Sequence, residues 1–330
     1  MTSLMDVARR AGVSRQTVSN VLNAPDRVAP ATRERVEAAV AELGYQPNRS
    51  ARNLRSRRSH LLGLDLKPTG PEEVSPVLDR FVHALSEEAA RVGYHVLVFP
   101  RADDAAVTHL PLHATRTVDG FVLVDTEATD RRVEVLAKND VPFVTFGRTA
   151  GGVAHDAVDV DGHLGGRLAA AEALSRGARR PAFVTWPKGS LQGDARLAGF
   201  LEVCAEAGIP SEDVAVLRRL HRVEDGVEAA LTLLRGDPTI DAIVASCDLL
   251  AVGVLRAIRS LGLRAGHDVR VIGFDDSPIA AHLDPPLTTV GQPVREVAQR
   301  VISTFLARLD DPEAPVSVEL LEPHLVVRLT

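Results

Sequence analysis

The chain has little cysteine: two in 330 residues, Cys204 and Cys247. That is too few for a disulfide framework or a four-ligand zinc site, and both read as small buried hydrophobes. No apolar run approaches the length of about 18 residues that a membrane-spanning helix needs. The N-terminus lacks a basic stretch followed by an apolar one, so no secretory signal is read there and a cytoplasmic location is expected. Lysine is scarce too, with Lys67, Lys138 and Lys188 the only ones among 38 basic residues. Patterns of catalysis are missing. The 11 His show no HExxH spacing, Ser190 in KGSLQG is not a GxSxG elbow, and DGHLGG (161–166) has neither dinucleotide nor phosphate-loop spacing. The acidic doublets Asp103–Asp104, Asp275–Asp276 and Asp310–Asp311 join sequence neighbours, which rarely face one site. No catalytic residue, metal or cofactor is therefore expected.

What is present is a soluble globular composition, 45% hydrophobic and 25% charged, in a length that predicts two or three domains. The charge is unevenly placed. Residues 1–60 hold 11 Arg against 5 Asp or Glu, a net +6, while the remainder holds 27 basic and 39 acidic residues, a net −12. A basic head on an acidic body predicts that the head meets a polyanion and that the body stays off it.

The head reads as three short helices. Leu4, Val7, Ala8 and Ala11 form one apolar stripe, Val18, Val21 and Leu22 a second, and Val36, Ala39, Val40 and Leu43 a third. Gly12 suits a left-handed turn between the first two, and Ser14 an N-cap. Pro30 suits a first helical turn and Gly44 a helix end. A helix–Gly–helix unit at this spacing fits a helix-turn-helix, whose second helix enters the major groove N-terminal end first. Arg15, Gln16 and Thr17 sit on that first turn, with Asn20 one turn on. Arg pairs bidentately with guanine and Gln with adenine, so these four are the candidate base readers. Ser14, Ser19 and Asn23 are short donors suited to phosphates. The alternative is an ordinary helical hairpin with solvated polar residues.

The basic segment 48–60, NRSARNLRSRRSH, holds one large apolar residue, Leu54, amid Arg52, Arg55, Arg57 and Arg58. It reads either as a free linker or as a short helix, unstable alone, whose Leu54 wedges between base steps from the minor groove. From residue 61 onward, apolar strand-like runs alternate with amphipathic helices. Runs at 61–66, 94–100, 120–125, 141–147, 181–186, 214–220, 241–247 and 269–276 are separated by helical patterns. About ten strands are expected, more than one typical sheet holds. The economical fold is α/β: two lobes, each a parallel Rossmann-like sheet covered by helices, with a ligand site in the cleft at the carboxyl ends of the strands.

DVARRAGVSRQTVSNVLN (6–23), followed by VAPATRERVEAAVAELGYQPNRSARNL, resembles the DNA-binding head of the LacI/GalR family of bacterial repressors. VDVDGHLGG, ARLAGF, CDLLAVGVLRAIRSLGL, VIGFDDSPIA and PPLTTVGQP resemble further signatures of that family in the same order, so the resemblance covers almost the whole chain. It implies a helix-turn-helix domain at 1–47, a hinge at 48–60 and an effector-binding and dimerisation domain at 61–330. That domain resembles a periplasmic binding protein, with lobe 1 at about 61–160 and 291–320 and lobe 2 at about 161–290 and 321–330. Chain crossings fall near 159–162, 288–292 and 319–323.

The resemblance further implies that Asn48, Ala51, Arg52 and Leu54 belong to a minor-groove hinge. It implies a homodimer, with a tetramer left open, on a pseudopalindromic double-stranded operator. Arg196 and Asp275 match positions that hold an effector's polar groups. Trp186, at the end of a cleft-facing strand, is expected to stack on a sugar ring or else to belong to the lobe core, and Arg148 is a further expected contact. Cys247, a further expected effector contact, replaces an Asn frequent in the family, and Val77–Leu78 replace an aromatic pair. The expected function is a repressor controlled allosterically by a small molecule, with a sugar expected and a purine-type corepressor as the alternative. A cytoplasmic solute-binding protein without DNA function is the reading from a different class.

Overall fold

The computed structural model describes residues 2–23, 25–45, 58–68, 75–102 and 104–330. The chain divides into two compact units, residues 1–59 and 60–330. The expected hinge residues Asn48, Ala51, Arg52 and Leu54 lie outside the described residues, as does the side chain of Asn23.

The first unit is all-helical, with α1 (Leu4–Ala11), α2 (Arg15–Asn23) and α3 (Pro30–Leu43). Ser3 and Asp6 close a capping box at the start of α1, which satisfies two otherwise orphan backbone donors. Gly12 ends α1 in the left-handed conformation, φ 65°. The Val13 amide then reaches back to the Ala8 carbonyl at 3.0 Å, turning the chain sharply into α2. The Ser14 Oγ accepts from the Thr17 amide at 3.0 Å and so caps α2. Val7, Ala8, Ala11, Val18, Val21, Val36, Ala39 and Tyr45 form the core.

The second unit holds two sheets of six strands. In the first lobe the elements are β1 (Leu61–Leu66), α4 (Pro76–Arg91), β2 (His95–Pro100), α5 (Ala105–Ala114), β3 (Gly120–Leu123), α6 (Arg131–Lys138), β4 (Phe143–Phe146) and β5 (Ala157–Val160). The second lobe has α7 (Gly162–Ser175), β6 (Pro181–Thr185), α8 (Leu191–Glu206), β7 (Ala215–Arg218), α9 (Val223–Gly236), β8 (Ala242–Ala245), α10 (Asp248–Ser260), β9 (Arg270–Asp275) and β10 (Thr288–Gly291). The chain then returns to the first lobe as α11 (Val294–Asp310) and β11 (Val318–Leu321), and ends in the second as β12 (His324–Val326).

The strand orders are β2-β1-β3-β4-β5-β11 and β7-β6-β8-β9-β10-β12. The pairs are parallel except β10 with β12, which is antiparallel. Both orders reverse direction after their second strand. That creates one switch point per sheet, and ligands gather outside the carboxyl ends of strands at such points.

Helices cover both faces of each sheet. In the first lobe, Phe81, Leu85, Val297, Val301 and Phe305 of α4 and α11 fill one side, and Phe121, Val133, Leu136 and Phe143 the other. In the second lobe, Ala169, Ala170, Ala173, Phe183 and Phe200 fill one side, and Ala229, Leu233, Leu250, Val254 and Val271 the other.

Twelve strands among the described residues exceed the ten or so expected. Two helices, α5 and α11, also lie outside the runs picked out by alternation. Helix α5 carries Pro111 in its interior, which removes a hydrogen-bond donor and breaks the helical signature.

DGHLGG and ARLAGF gain a packing role. They stand on α7 and α8, which cross in contact. A methyl group on Gly166 would run into the Arg196 carbonyl, and one on Gly199 into the His163 carbonyl. The two backbones therefore touch, and this contact sets the height at which Arg196 enters the lobe. Gly199→Ala should cost about 3 kcal/mol, because close-packed backbones have no side chain that can yield. Urea unfolding measures it, and a cost within about 0.5 kcal/mol, the range of an ordinary surface change, would contradict the packing role.

Candidate functional site

The second-lobe wall of the cleft is built on the first two turns of α8. The Ser190 hydroxyl caps this helix through the Gly193 amide, 3.2 Å away. Arg196 follows less than two turns on and is 5% exposed. Its guanidinium lies 3.6 Å from the Phe274 ring centroid and 5.0 Å from that of Trp186, an arrangement in which two aromatic faces attract the cation. Nη1 donates to the Ser246 carbonyl. The Ser246 hydroxyl is itself fixed by a 2.7 Å hydrogen bond to Thr185 Oγ1.

Asp275 faces Arg196 at 3.9 Å, too far for a direct hydrogen bond. Its Oδ1 accepts from Gln292 Nε2 at 2.7 Å. Burial raises the Asp275 carboxyl to about 7, with Asp248 adding to the rise and Arg196 opposing it. Burial likewise lowers Arg196. Each charge is thus withdrawn from water and only partly compensated by the other.

Asp275 and Asp276 both adopt left-handed backbone conformations, φ 118° and 47°. Such strain persists only where neighbours impose it. Asp248 Oδ2 accepts from the amide and the hydroxyl of Ser277, both at 2.7 Å, and Asp248 Oδ1 from Thr289 Oγ1 at 2.6 Å. Arg328 Nη2 donates to Asp276 Oδ1 at 2.6 Å.

The first-lobe wall carries Val77 and Leu78 from α4, Val124, Asp125 and Thr126 after β3, and Asp159 from β5. A buried ionic network anchors the loop after β3. Arg132 Nη1 donates to both oxygens of Asp65 at 2.9 Å, and its Nη2 donates to the Val124 carbonyl at 2.9 Å. Arg101 Nη2 donates to the same carbonyl at 2.7 Å.

Between the walls lies a cavity of about 180 Å³. That is room for one small polar molecule. Arg196, Asp275, Trp186, His221, Gln192 and Gln292 also line it. Buried nitrogens of three of these residues, Arg196 Nε, Trp186 Nε1 and His221 Nε2, have no hydrogen-bond partner among the described residues. Burial, and after it the charge of Arg196, lowers His221 to about 4, so its ring is neutral at pH 7. Buried nitrogens without a partner are costly.

The structure brings Arg196, Asp275 and Trp186 together. One face of Trp186 is turned to the guanidinium, and its ring also meets His221 at 5.6 Å. Two expected contacts stand elsewhere. Cys247 is fully buried in the core below α10 and does not line the cavity. It occupies the N-cap position of α10, which turns it inward, and burial raises its thiol far above the ordinary value. Arg148 lies on a separate surface hollow with His155 and Val318. Its Nε donates to Asp159 Oδ2 at 3.1 Å, so it reaches the cavity only through that carboxylate.

Gln192, His221, Gln292, Asp125 and Asp159 went unread in the sequence. Gln192 had a signal, since it precedes Arg196 by one helical turn, and so did Gln292 and Asp159, which lie in family-like motifs. His221, in a loop, had none.

In the head, Arg15 and Gln16 are exposed on the first turn of α2, and Gln16 Nε2 donates to Asn20 Oδ1 at 2.9 Å. Arg9, Arg10 and Arg33 pair with Asp6, Glu42 and Glu37. Arg15 makes no ion pair among the described residues. Thr17 and Ser14 share a hydrogen bond of 2.9 Å, and Ser19 is half-buried.

Residues 3–48 match the bacterial regulatory proteins of the lacI family, and residues 170–330 match a periplasmic binding protein-like domain. The chain is 34% identical to the HTH-type transcriptional regulator CelR of Thermobifida fusca, over 98% of this chain and 96% of that one. The chain belongs to the lacI family.

It superposes on the lac repressor dimer bound to operator and the anti-inducer ONPF with TM-score 0.82 and 29% identity, covering 100% of this chain and 98% of that one. A CelR–cellobiose complex matches with TM-score 0.74 and 31% identity, over 100% and 99% of the two chains. As a lacI-family regulator the chain is a DNA-binding transcriptional regulator, and its named relatives are regulators rather than enzymes. No helix among the described residues is long and apolar enough to cross a membrane.

The raised Asp275 carboxyl has a consequence for stability. Between the ordinary value of 3.8 and about 7, the folded protein holds a proton that the unfolded chain has released. That contribution to stability is complete at the low end and is lost as pH rises through about 7. Asp275→Asn, which cannot ionise, should therefore gain stability relative to the parent protein as pH rises from about 4 to about 7, with no further gain above that. Urea midpoints at the two ends of this window test this, and a difference that does not vary across it would contradict the assignment.

Proposed function

We propose that this regulator is a repressor that acts as a homodimer in the cytoplasm on a pseudopalindromic operator, and that a sugar bound in the cleft against Arg196 and Asp275 controls its affinity for DNA. One observation carries the effector assignment. A charge pair held 3.9 Å apart shares a small cavity with residues carrying three unpartnered buried nitrogens. A sugar ring presents hydroxyls that donate to the carboxylate and accept from the guanidinium, indole and imidazole. The cavity volume fits one ring, either a monosaccharide or the end unit of a longer sugar. The CelR–cellobiose complex supports the same class. A site built on buried hydrogen-bonding groups also rejects analogues that lack the matching hydroxyl.

On the DNA side, Arg15, exposed and without an ion pair among the described residues, Thr17 and the Gln16–Asn20 pair are the base readers. Ser14, Ser19 and Asn23 serve the phosphate backbone. The hinge and minor-groove role assigned to Asn48, Ala51, Arg52 and Leu54 falls on residues outside the described ones.

Two outcomes follow from this assignment. Arg15→Ala and Gln16→Ala should each lose about 1–3 kcal/mol of preference for operator over random duplex. Fluorescence anisotropy at fixed salt reads that loss, and an undiminished preference removes these residues from base reading. Arg196→Ala should keep operator affinity while losing every thermal shift produced by a panel of sugars and purines, since a bound ligand stabilises by mass action. A sugar that still shifts the Arg196→Ala protein as it does the parent would place the effector elsewhere.

A further inference from the structure

The loop that presents Asp275 is held by a side chain from the opposite lobe. Arg80, on the second turn of α4, donates from Nη1 to the carbonyls of Asp275 at 3.1 Å and Asp276 at 2.8 Å. Helix α4 packs in the first-lobe core, and the loop belongs to the second-lobe sheet. We propose that Arg80 is an inter-lobe latch, which ties the relative position of the lobes to the loop that carries the effector-facing carboxylate.

Three features support this role. Thr289 Oγ1 accepts from the Asp276 amide at 3.3 Å, Arg328 holds the Asp276 carboxylate and Gln292 the Asp275 carboxylate. Arg80 is the side chain that reaches the two carbonyls. Arg80 itself makes no ion pair with a carboxylate among the described residues. Glu87, which shares a hollow with Arg80, is held by Arg295 at 2.8 Å, so it does not compete for Arg80. Finally, Arg80 lies one turn beyond Val77, which lines the cavity. A single short stretch of α4 thus touches both the ligand space and the loop.

Hydrogen bonds of this length fail once the donor moves by about 1 Å. The latch is closed in this arrangement of the lobes and breaks when they rotate, which gives the cleft two distinguishable states. In this way a ligand that moves Asp275 also acts on the first lobe, and the mutual effect is the coupling that an effector-controlled regulator requires. The role in regulation rests on the proposed effector site. The latch itself does not.

The test uses the full chain with nitroxide labels at Glu134→Cys on α6 and Arg235→Cys on α9, two exposed positions. The native Cys204 and Cys247 are buried and stay unlabelled. Labelled chains are diluted with an excess of unlabelled ones, so that distances within one chain dominate the electron–electron resonance signal. With Arg80 present, a single narrow inter-lobe distance is expected. Arg80→Ala should lose that narrow peak and populate a second, displaced one, and Arg80→Lys, whose ammonium can still reach the carbonyls, should restore it in part. A distribution in Arg80→Ala that matches the parent overturns the latch. If Arg80→Ala fails to fold, Arg80→Met decides in the same way, because it keeps the apolar stem and removes only the donors. Neither sugar nor DNA is needed, so the latch and the effector assignment can fail separately.

Discussion

The buried pair Arg196–Asp275 is the constraint around which the second lobe is arranged. Neither charge is solvated, and at 3.9 Å neither fully satisfies the other. Holding them there requires several costly features at once. Helices α7 and α8 must meet backbone to backbone so that Arg196 enters at the right depth. Phe274 and Trp186 must flank the guanidinium. The chain at Asp275–Asp276 must adopt a left-handed course that ordinary residues avoid. A protein that needed only a stable core would place apolar residues here, since a buried ion pair adds little stability over a well-packed apolar replacement. The arrangement makes sense as a site whose hydrogen bonding a ligand completes.

The pair also sits where the two lobes share structure. Gln292, which holds Asp275, occupies the segment linking β10 of one lobe to α11 of the other. Asp159 stands one residue before the end of β5, next to the link into α7. The connections between the sheets therefore run beside the ligand space. A ligand bound between the walls changes forces on segments whose course sets the angle between the lobes. Ionic anchoring makes the first-lobe wall stiff: Arg101 and Arg132 both grip the Val124 carbonyl. A stiff wall transmits displacement where a soft loop would absorb it.

Much of this fold is legible in the sequence. The alternation of apolar runs and helical patterns locates eight strands, and the caps at Gly12, Ser14 and Gly44 stand where their chemistry places them. What escapes has physical reasons. Strands β5 and β11 carry charges, at Asp159 and Glu319, within four-residue spans. Strand β12 has three residues, too few to show a period. Helix α5 is interrupted by Pro111. The site is less legible than the fold. Arg196 and Asp275 stand out through family resemblance, because nothing in periodicity distinguishes a buried Arg on a helix from a solvated one. Cys247 looks like a site position because it precedes Asp248 in a motif, yet the helix start turns it into the core. Arg80 carries no motif at all, and only the folded chain brings it across 195 residues to Asp275.

In the proposed regulator, occupancy of this cavity and affinity for DNA are coupled. The chain has one tryptophan, and it lines the cavity, so both quantities can be followed in a single titration. Trp186 emission reports the cavity while the anisotropy of a labelled operator reports the head, as mono- and disaccharides are added in turn. The account predicts that one sugar changes both signals over the same concentration range. A sugar that saturates the Trp186 signal while operator anisotropy stays constant would contradict it.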